Sequence, residues 1–343
     1  LDVVGLVKMP ETVKLHDEIS TCTGEKSIVL GNGFGLSYDV ASGENNFKWT
    51  TLLDLCDIDQ NTPIYKLLEQ CNFDFELAHQ KLNNAVDVIS KYDPENALTS
   101  TLQEQVQYLK NQLIIAVAKS HPSSLSRQSS EEGYEAEKIN RMVKTCRIFL
   151  NQFDCVFSLN YDLLLYWVRC FRGDPLGTDS FKKIGDELCF SHDEKANFLF
   201  PHGALFLYRN GASAVKSATT MSNPILKRVQ SSIEGGNFPM CISEGTGKQK
   251  LEAIKSNSYL SFAYQRIKKC EGTIFTFGCS FQDGKDDHII TALLQSPATK
   301  IVIGFRFDEA AFYRLNHIFS RLQAELKTNK KIVLADIEGT LLW

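Results

Sequence analysis

Four short clusters hold the residue types that could do chemistry: Gly31-Asn32-Gly33-Phe34, Asn160-Tyr161-Asp162, Pro201-His202-Gly203 and Gly278-Cys279-Ser280. Backbone N–H groups in a glycine turn that opens a helix suit a phosphate or pyrophosphate. The spacing Gly31-x-Gly33-x-Gly35 departs from the dinucleotide fingerprint Gly-x-Gly-x-x-Gly, and a plain tight turn explains it equally well. His202 has the side chain best suited to act as a base near neutral pH, with an ordinary pKa of ~6.5. Following Pro201, it reads first as a turn histidine bonded to backbone and second as a catalytic base. Asn160 can both donate and accept, or it can cap a helix beginning at Tyr161. Asp162, early in that helix, suits the helix dipole. Asp283, Asp286, Asp287 and His288 read as a helix start with solvated carboxylates, with a metal cluster as the alternative. Glu244, in Ser-Glu-Gly-Thr-Gly, reads first as a loop residue and second as a contact for a bound ribose.

The elements that must hold these clusters follow from hydrophobic period. Each cluster ends a short apolar run: Ser27 to Leu30, Asp154 to Leu159, Phe198 to Phe200 and Thr273 to Phe277. Such runs read as strands buried on both faces. Helices are expected from Leu163 to Arg172, from Gly247 to about Cys270, from Asp286 to Leu294 and from Glu309 to Leu326. Further strands are expected at Pro239 to Ile242, Lys300 to Phe305 and Ile332 to Ala335, with one edge strand near Val3 to Val7. Strands alternating with helices predict an α/β fold, a Rossmann-like parallel sheet with helices on both faces. Between Ile64 and Phe153 the pattern turns helical, broken by a Ser-rich polar stretch from His121 to Gly133. The expected organisation is a nucleotide-binding domain of residues 26–56 and 153–343, interrupted by a helical insertion, 57–152. Ligands of such sheets bind beyond the carboxyl ends of the strands, where all four clusters lie.

Bulk properties narrow the classes. The 343 residues carry a formal net charge of −4, which argues against a broadly basic nucleic-acid surface. No apolar run approaches the ~20 residues of a membrane span, and no cationic-then-apolar leader opens the sequence. The ten cysteines contain no Cys-x-x-Cys pair, so structural zinc has little support and reduced thiols in a cytoplasmic protein are expected.

In order, Leu30-Gly31-Asn32-Gly33-Phe34, Leu159-Asn160-Tyr161-Asp162, Pro201-His202-Gly203 and Phe277-Gly278-x-Ser280-x-x-Asp283 resemble the sirtuin-like NAD-binding superfamily. The resemblance is closest to the bacterial sirtuin-like NADase branch used in anti-phage defence. It implies that Gly31, Asn32 and Gly33, with Phe34, wrap the pyrophosphate and ribose of NAD+. Asn160 would sit by the nicotinamide ribose, Asp162 would recognise the carboxamide, and His202 would be general base toward a ribose hydroxyl. Gly278 and Ser280 would meet the adenosine half. NAD+ would then be the substrate, cleaved to nicotinamide and ADP-ribose, with no metal. The resemblance also implies self-oligomers or a regulatory partner such as a ring-forming HerA-type ATPase, with nucleic acid reached only through that partner. Two departures stand out. The four-cysteine zinc module of sirtuin deacylases is missing, and Gly35 stands where many relatives carry serine. NAD-dependent deacylation, ADP-ribosyl transfer and a silent nucleotide-sensing module remain the alternatives.

Overall fold

The computed structural model describes residues 13–122, 134–218, 224–243 and 245–343. The expected strand near Val3, most of the Ser-rich stretch and Glu244 lie outside them. The chain opens with β1 (Val13–Lys14), α1 (Leu15–Thr21), β2 (Lys26–Leu30), α2 (Gly33–Ser42) and α3 (Trp49–Asp54). The insertion follows as α4 (Pro63–Gln70), α5 (Phe75–Tyr92), α6 (Ala97–Ser120) and α7 (Tyr134–Leu150). Next come β3 (Cys155–Ser158), α8 (Leu164–Arg169), β4 (Phe181–Ile184), β5 (Glu187–Phe190), β6 (Phe198–Leu199), β7 (Leu207–Asn210) and β8 (Ser213–Lys216). The last part holds α9 (Ile225–Glu234), α10 (Gly247–Lys255), α11 (Ser258–Lys268), β9 (Thr273–Phe277), α12 (Asp287–Gln295), β10 (Lys300–Phe305), α13 (Glu309–Leu326) and β11 (Lys331–Asp336).

Seven strands form one parallel sheet in the order β1-β11-β10-β9-β2-β3-β6, flanked by helices. From β2 the chain steps outward to β3 and β6, then crosses back to place β9 on the other side of β2. From β6 to β11 this is the doubly wound Rossmann order, and its switch point lies between β2 and β9. The expected α/β class is therefore observed. The central strands carry unbroken apolar runs because both faces are covered: Ile28, Val29, Leu30, Ile274, Phe275, Ile301, Val302 and Ile303 are fully buried. At ~1.5–3 kcal/mol for each such side chain, these strands form the stable floor under the site.

Three local expectations are corrected. The helix expected from Gly247 to Cys270 is two helices, α10 and α11, broken at Asn257. Its buried side chain caps Tyr259 N (3.0 Å) and Leu260 N (3.2 Å) and donates to Ser213 O (2.7 Å). Pro239 to Ile242 makes only an isolated bridge, Cys241 with Gly203. A second, antiparallel sheet, β4-β5-β8-β7, was not expected. Its first hairpin turns at Gly185-Asp186, with Gly185 at φ 61, a turn signal present in the sequence. Phe181 and Phe190 of that sheet pack on Tyr259, with ring centroids 4.9 and 5.5 Å away.

The helical insertion matches expectation. Asp74 caps α5 by accepting from Leu77 N (2.9 Å), and Asn96 caps α6 by accepting from Leu98 N (2.8 Å). Leu109, Leu113, Ile114 and Val117 of α6 face inward with Phe75, Ala78 and Leu82 of α5. Among the described residues no helix is long and apolar enough to cross a membrane.

Candidate functional site

A cavity of about 870 Å³ opens at the carboxyl ends of the central strands, over the switch point. Leu30 is in register with Phe277, so the loops leaving β2 and β9 meet side by side. Gly31 N donates to Phe277 O (2.9 Å) and Gly33 N to Gly278 O (3.0 Å). A Cβ on Gly31 would lie 2.6 Å from Gly278 O, and one on Gly33 would overlap Gly278 Cα. Gly278 itself has φ +65. These glycines are demanded first by the crossing of two loops, a reason the sequence reading did not foresee. Gly31, Asn32, Gly33, Gly278 and the exposed Ser280 all line the cavity.

Phe34 needs correction as a binding residue. Its ring is fully buried, outside the cavity wall, against Trp343 (centroids 4.9 Å). Trp343 also donates through Nε1 to Ser37 Oγ (3.0 Å), so the 337–343 segment closes one side of the cavity. At Gly35 a Cβ would sit 2.9 Å from the Phe47 ring, so Phe47 fills the space a serine side chain would need.

The loop after β3 is pinned at every residue. Asn160 Nδ2 donates to Gly31 O (2.9 Å) and its backbone N–H to Ser158 Oγ (3.1 Å), joining this loop to the glycine loop. Its helix-cap alternative is not seen, because α8 begins only at Leu164. Tyr161 Oη donates to Ile242 O (2.5 Å), and Leu163 N donates to His121 Nε2 (2.8 Å). His121, the residue just past the end of the insertion's α6, is not on the cavity wall and supports this loop from behind, packed against Phe47 and Trp167, a contact that sequence reading missed. Burial pulls its pKa down to about 3, so it stays a neutral acceptor. Asp162 Oδ1 accepts from Leu164 N (2.7 Å), and burial pushes this carboxyl up to about 6, opposed by its backbone hydrogen bonds.

His202 lies 4% exposed and on the cavity wall, brought beside Asn160 and Asp162 by β6. Its Nε2 is 2.8 Å from Nε2 of His288, on α12. Burial, then the neighbouring His288 and Lys250, hold its pKa well below the ordinary 6.5. The sequence reading assumed an unperturbed histidine; the structure corrects this to a neutral and weak base. His288 is likewise lowered, to about 3, by burial and Lys250.

Lys250 is 1% exposed, 3.1 Å from Glu76 on α5 and 3.5 Å from Asp286 before α12. Burial pulls its ammonium down, but Glu76 and Asp286 more than offset this. A second pair, Lys285–Asp74 (2.9 Å), also ties α5 to the head of α12. The aspartates that suggested a metal are engaged in ion pairs: Asp283 and Asp287 with Arg321, Asp286 with Lys250. No group of three or more metal-ligand residues is gathered among the described residues. Lys250 was missed because it sits in the inward stripe of α10 one turn before Ile254, where charge is unusual.

The site thus combines a backbone cradle, a fixed asparagine, a carboxyl with a raised pKa and a neutral histidine around one cavity. The chain belongs to the family described as a domain of unknown function, DUF4917, whose model matches residues 28–343. A search of curated proteins found no match.

Proposed function

We propose that this chain is an NAD+ glycohydrolase that releases nicotinamide and ADP-ribose. One observation carries the reading. Asn160, Asp162, His202 and both glycine loops, chosen from sequence as separate strand ends, line a single cavity at the sheet's switch point. A dinucleotide fits a site of this size and position, with its pyrophosphate on the Gly31–Gly33 turn.

The chemistry suits the side chains. Water adds to the anomeric carbon as the bond to the nicotinamide nitrogen breaks. The bonding pair returns to the pyridinium and neutralises it, and the water's proton leaves to solvent or to a base. Because the leaving group needs no proton, a weak neutral base suffices, and the main requirement is a fixed ribose beside an oxocarbenium-like centre. One amide N–H of Asn160 is bound to Gly31 O, which fixes the side chain, and its Oδ1 serves to accept from the attacking water or a ribose hydroxyl. Asp162 supports nicotinamide recognition by accepting from the carboxamide. The role in anti-phage defence, and self-assembly or a regulatory ATPase that restrains the activity, belong to the same reading.

The test is nicotinamide release from NAD+ by the purified protein, with and without candidate partners, beside Asn160→Ala and His202→Ala. Release by wild type that both variants lose supports the reading; equal release by all three refutes the site. Release that requires an acylated peptide or another protein acceptor moves the assignment to deacylation or ADP-ribosyl transfer. Tight NAD+ binding without turnover in every condition leaves a nucleotide-sensing module.

A further inference from the structure

The His202–His288 contact engages the Nε2 atoms of both rings. The ring centroids are 5.1 Å apart and the planes differ by 16°, while the two Nε2 atoms are 2.8 Å apart. The centroid distance exceeds the nitrogen distance by about one imidazole width, so the rings meet edge to edge and are not stacked. At that distance one nitrogen donates and the other accepts. A neutral imidazole has one N–H, so one of the two Nε2 atoms carries the shared proton, and in either arrangement His202 Nε2 is engaged by His288. His288 Nδ1 is buried with no hydrogen-bond partner.

His288 is itself held firmly. Tyr264 Oη on α11 donates to His288 O (2.9 Å). Asp286, two residues ahead, joins Lys250 of α10 and Glu76 of α5, and Lys285 joins Asp74. The charged groups around the pair are thus Lys250, with its own partners Glu76 and Asp286, and the Lys285–Asp74 pair. The cationic Lys250 opposes any added proton on either ring.

We propose that His288 is an internal restraint on His202: its Nε2 occupies His202 Nε2 and keeps that nitrogen from a substrate hydroxyl. The insertion, through Glu76–Lys250–Asp286 and Asp74–Lys285, keeps it there. This rests on the reading of His202 as the base of the proposed NAD+ cleavage and adds its regulation. A substrate hydroxyl reaches the base only after the α12 head moves, and a partner that shifts α5 has a direct mechanical route to that movement.

Imidazole ¹⁵N NMR over pH 4–8 tests the restraint without any turnover. In wild type, His202 stays neutral across this range. In His288→Leu its proton uptake moves up by at least one pH unit, whereas His288→Gln, which keeps a hydrogen-bonding side chain, leaves it near the wild-type position. Unchanged His202 titration in His288→Leu, or a glutamine variant that behaves like leucine, overturns the proposal. In parallel, nicotinamide release by His288→Leu should rise severalfold above that of partner-free wild type. A fall to the His202→Ala level would make His288 a positioning partner and overturn the restraint. If the NMR result holds while no variant releases nicotinamide, the NAD+ reading fails and the restraint on His202 stands.

Discussion

Asp162 gives the sharpest quantitative prediction. Its carboxyl is buried at the cavity floor, where desolvation raises its pKa from an ordinary 3.8 to about 6. Below pH 4 the group is protonated in folded and unfolded chains alike and has no effect. Between pH 4 and 6 the unfolded chain releases the proton while the folded chain keeps it, so wild type loses stability as pH rises. Above pH 6 both are ionised and the full cost is present. A gap of about two pH units, at about 1.4 kcal/mol each, amounts to roughly 3 kcal/mol. Asp162→Asn removes the charge and keeps an Oδ1 to accept from Leu164 N. The variant should therefore gain roughly 3 kcal/mol on wild type between pH 4 and pH 8, measured by urea unfolding at closely spaced pH values. It should also bind NAD+ more weakly, since a neutral amide replaces the carboxylate proposed to meet the carboxamide. A stability difference that stays flat with pH, or one that favours wild type as pH rises, would refute the reasoning. The position is then a site residue maintained at a cost in stability.

Three other substitutions probe the frame. Gly33→Ala sets a methyl group against Gly278 Cα and should cost about 2–3 kcal/mol in urea unfolding, with loss of NAD+ binding as the two loops separate. Lys250→Met leaves Glu76 and Asp286 facing each other without their cation. It should lower stability by about 3 kcal/mol and expose α5 to limited proteolysis at a lower protease concentration than wild type. Asn257→Ala removes both the α11 cap and the bond to Ser213 O. About 1–2 kcal/mol should be lost in thermal unfolding, with no effect on NAD+ binding because Asn257 is outside the cavity wall.

The glycine loops show why function and folding are hard to separate at such sites. Gly31 and Gly33 would be needed even without a ligand, because the β9 loop passes where their side chains would be. The same close crossing brings Asn160, through Gly31 O, into line with the later strand ends. Packing of the two loops and assembly of the cavity are one event.

Much of the frame was legible in the linear sequence. Runs such as Ile28-Val29-Leu30 and Ile301-Val302-Ile303 announce strands buried on both faces. Asn160, Asp162 and His202 stand at strand ends, and parallel strands share one carboxyl edge, so their common cavity follows from topology. The hairpin at Gly185-Asp186 had a turn signal but a strand pattern too short and polar to read. The break at Asn257 was hidden because helix period runs on both sides of it. What only tertiary structure decided are the states of the site's ionisable groups. His202 is an ordinary histidine in sequence; burial, His288 from 86 residues away and Lys250 together make it neutral and engaged. Lys250 looks like a surface lysine until Glu76, from the insertion, meets it. Residue type and period are local properties that sequence displays directly. Desolvation and pairing depend on which distant groups share a small dry volume, and that is determined only when the chain has closed around them.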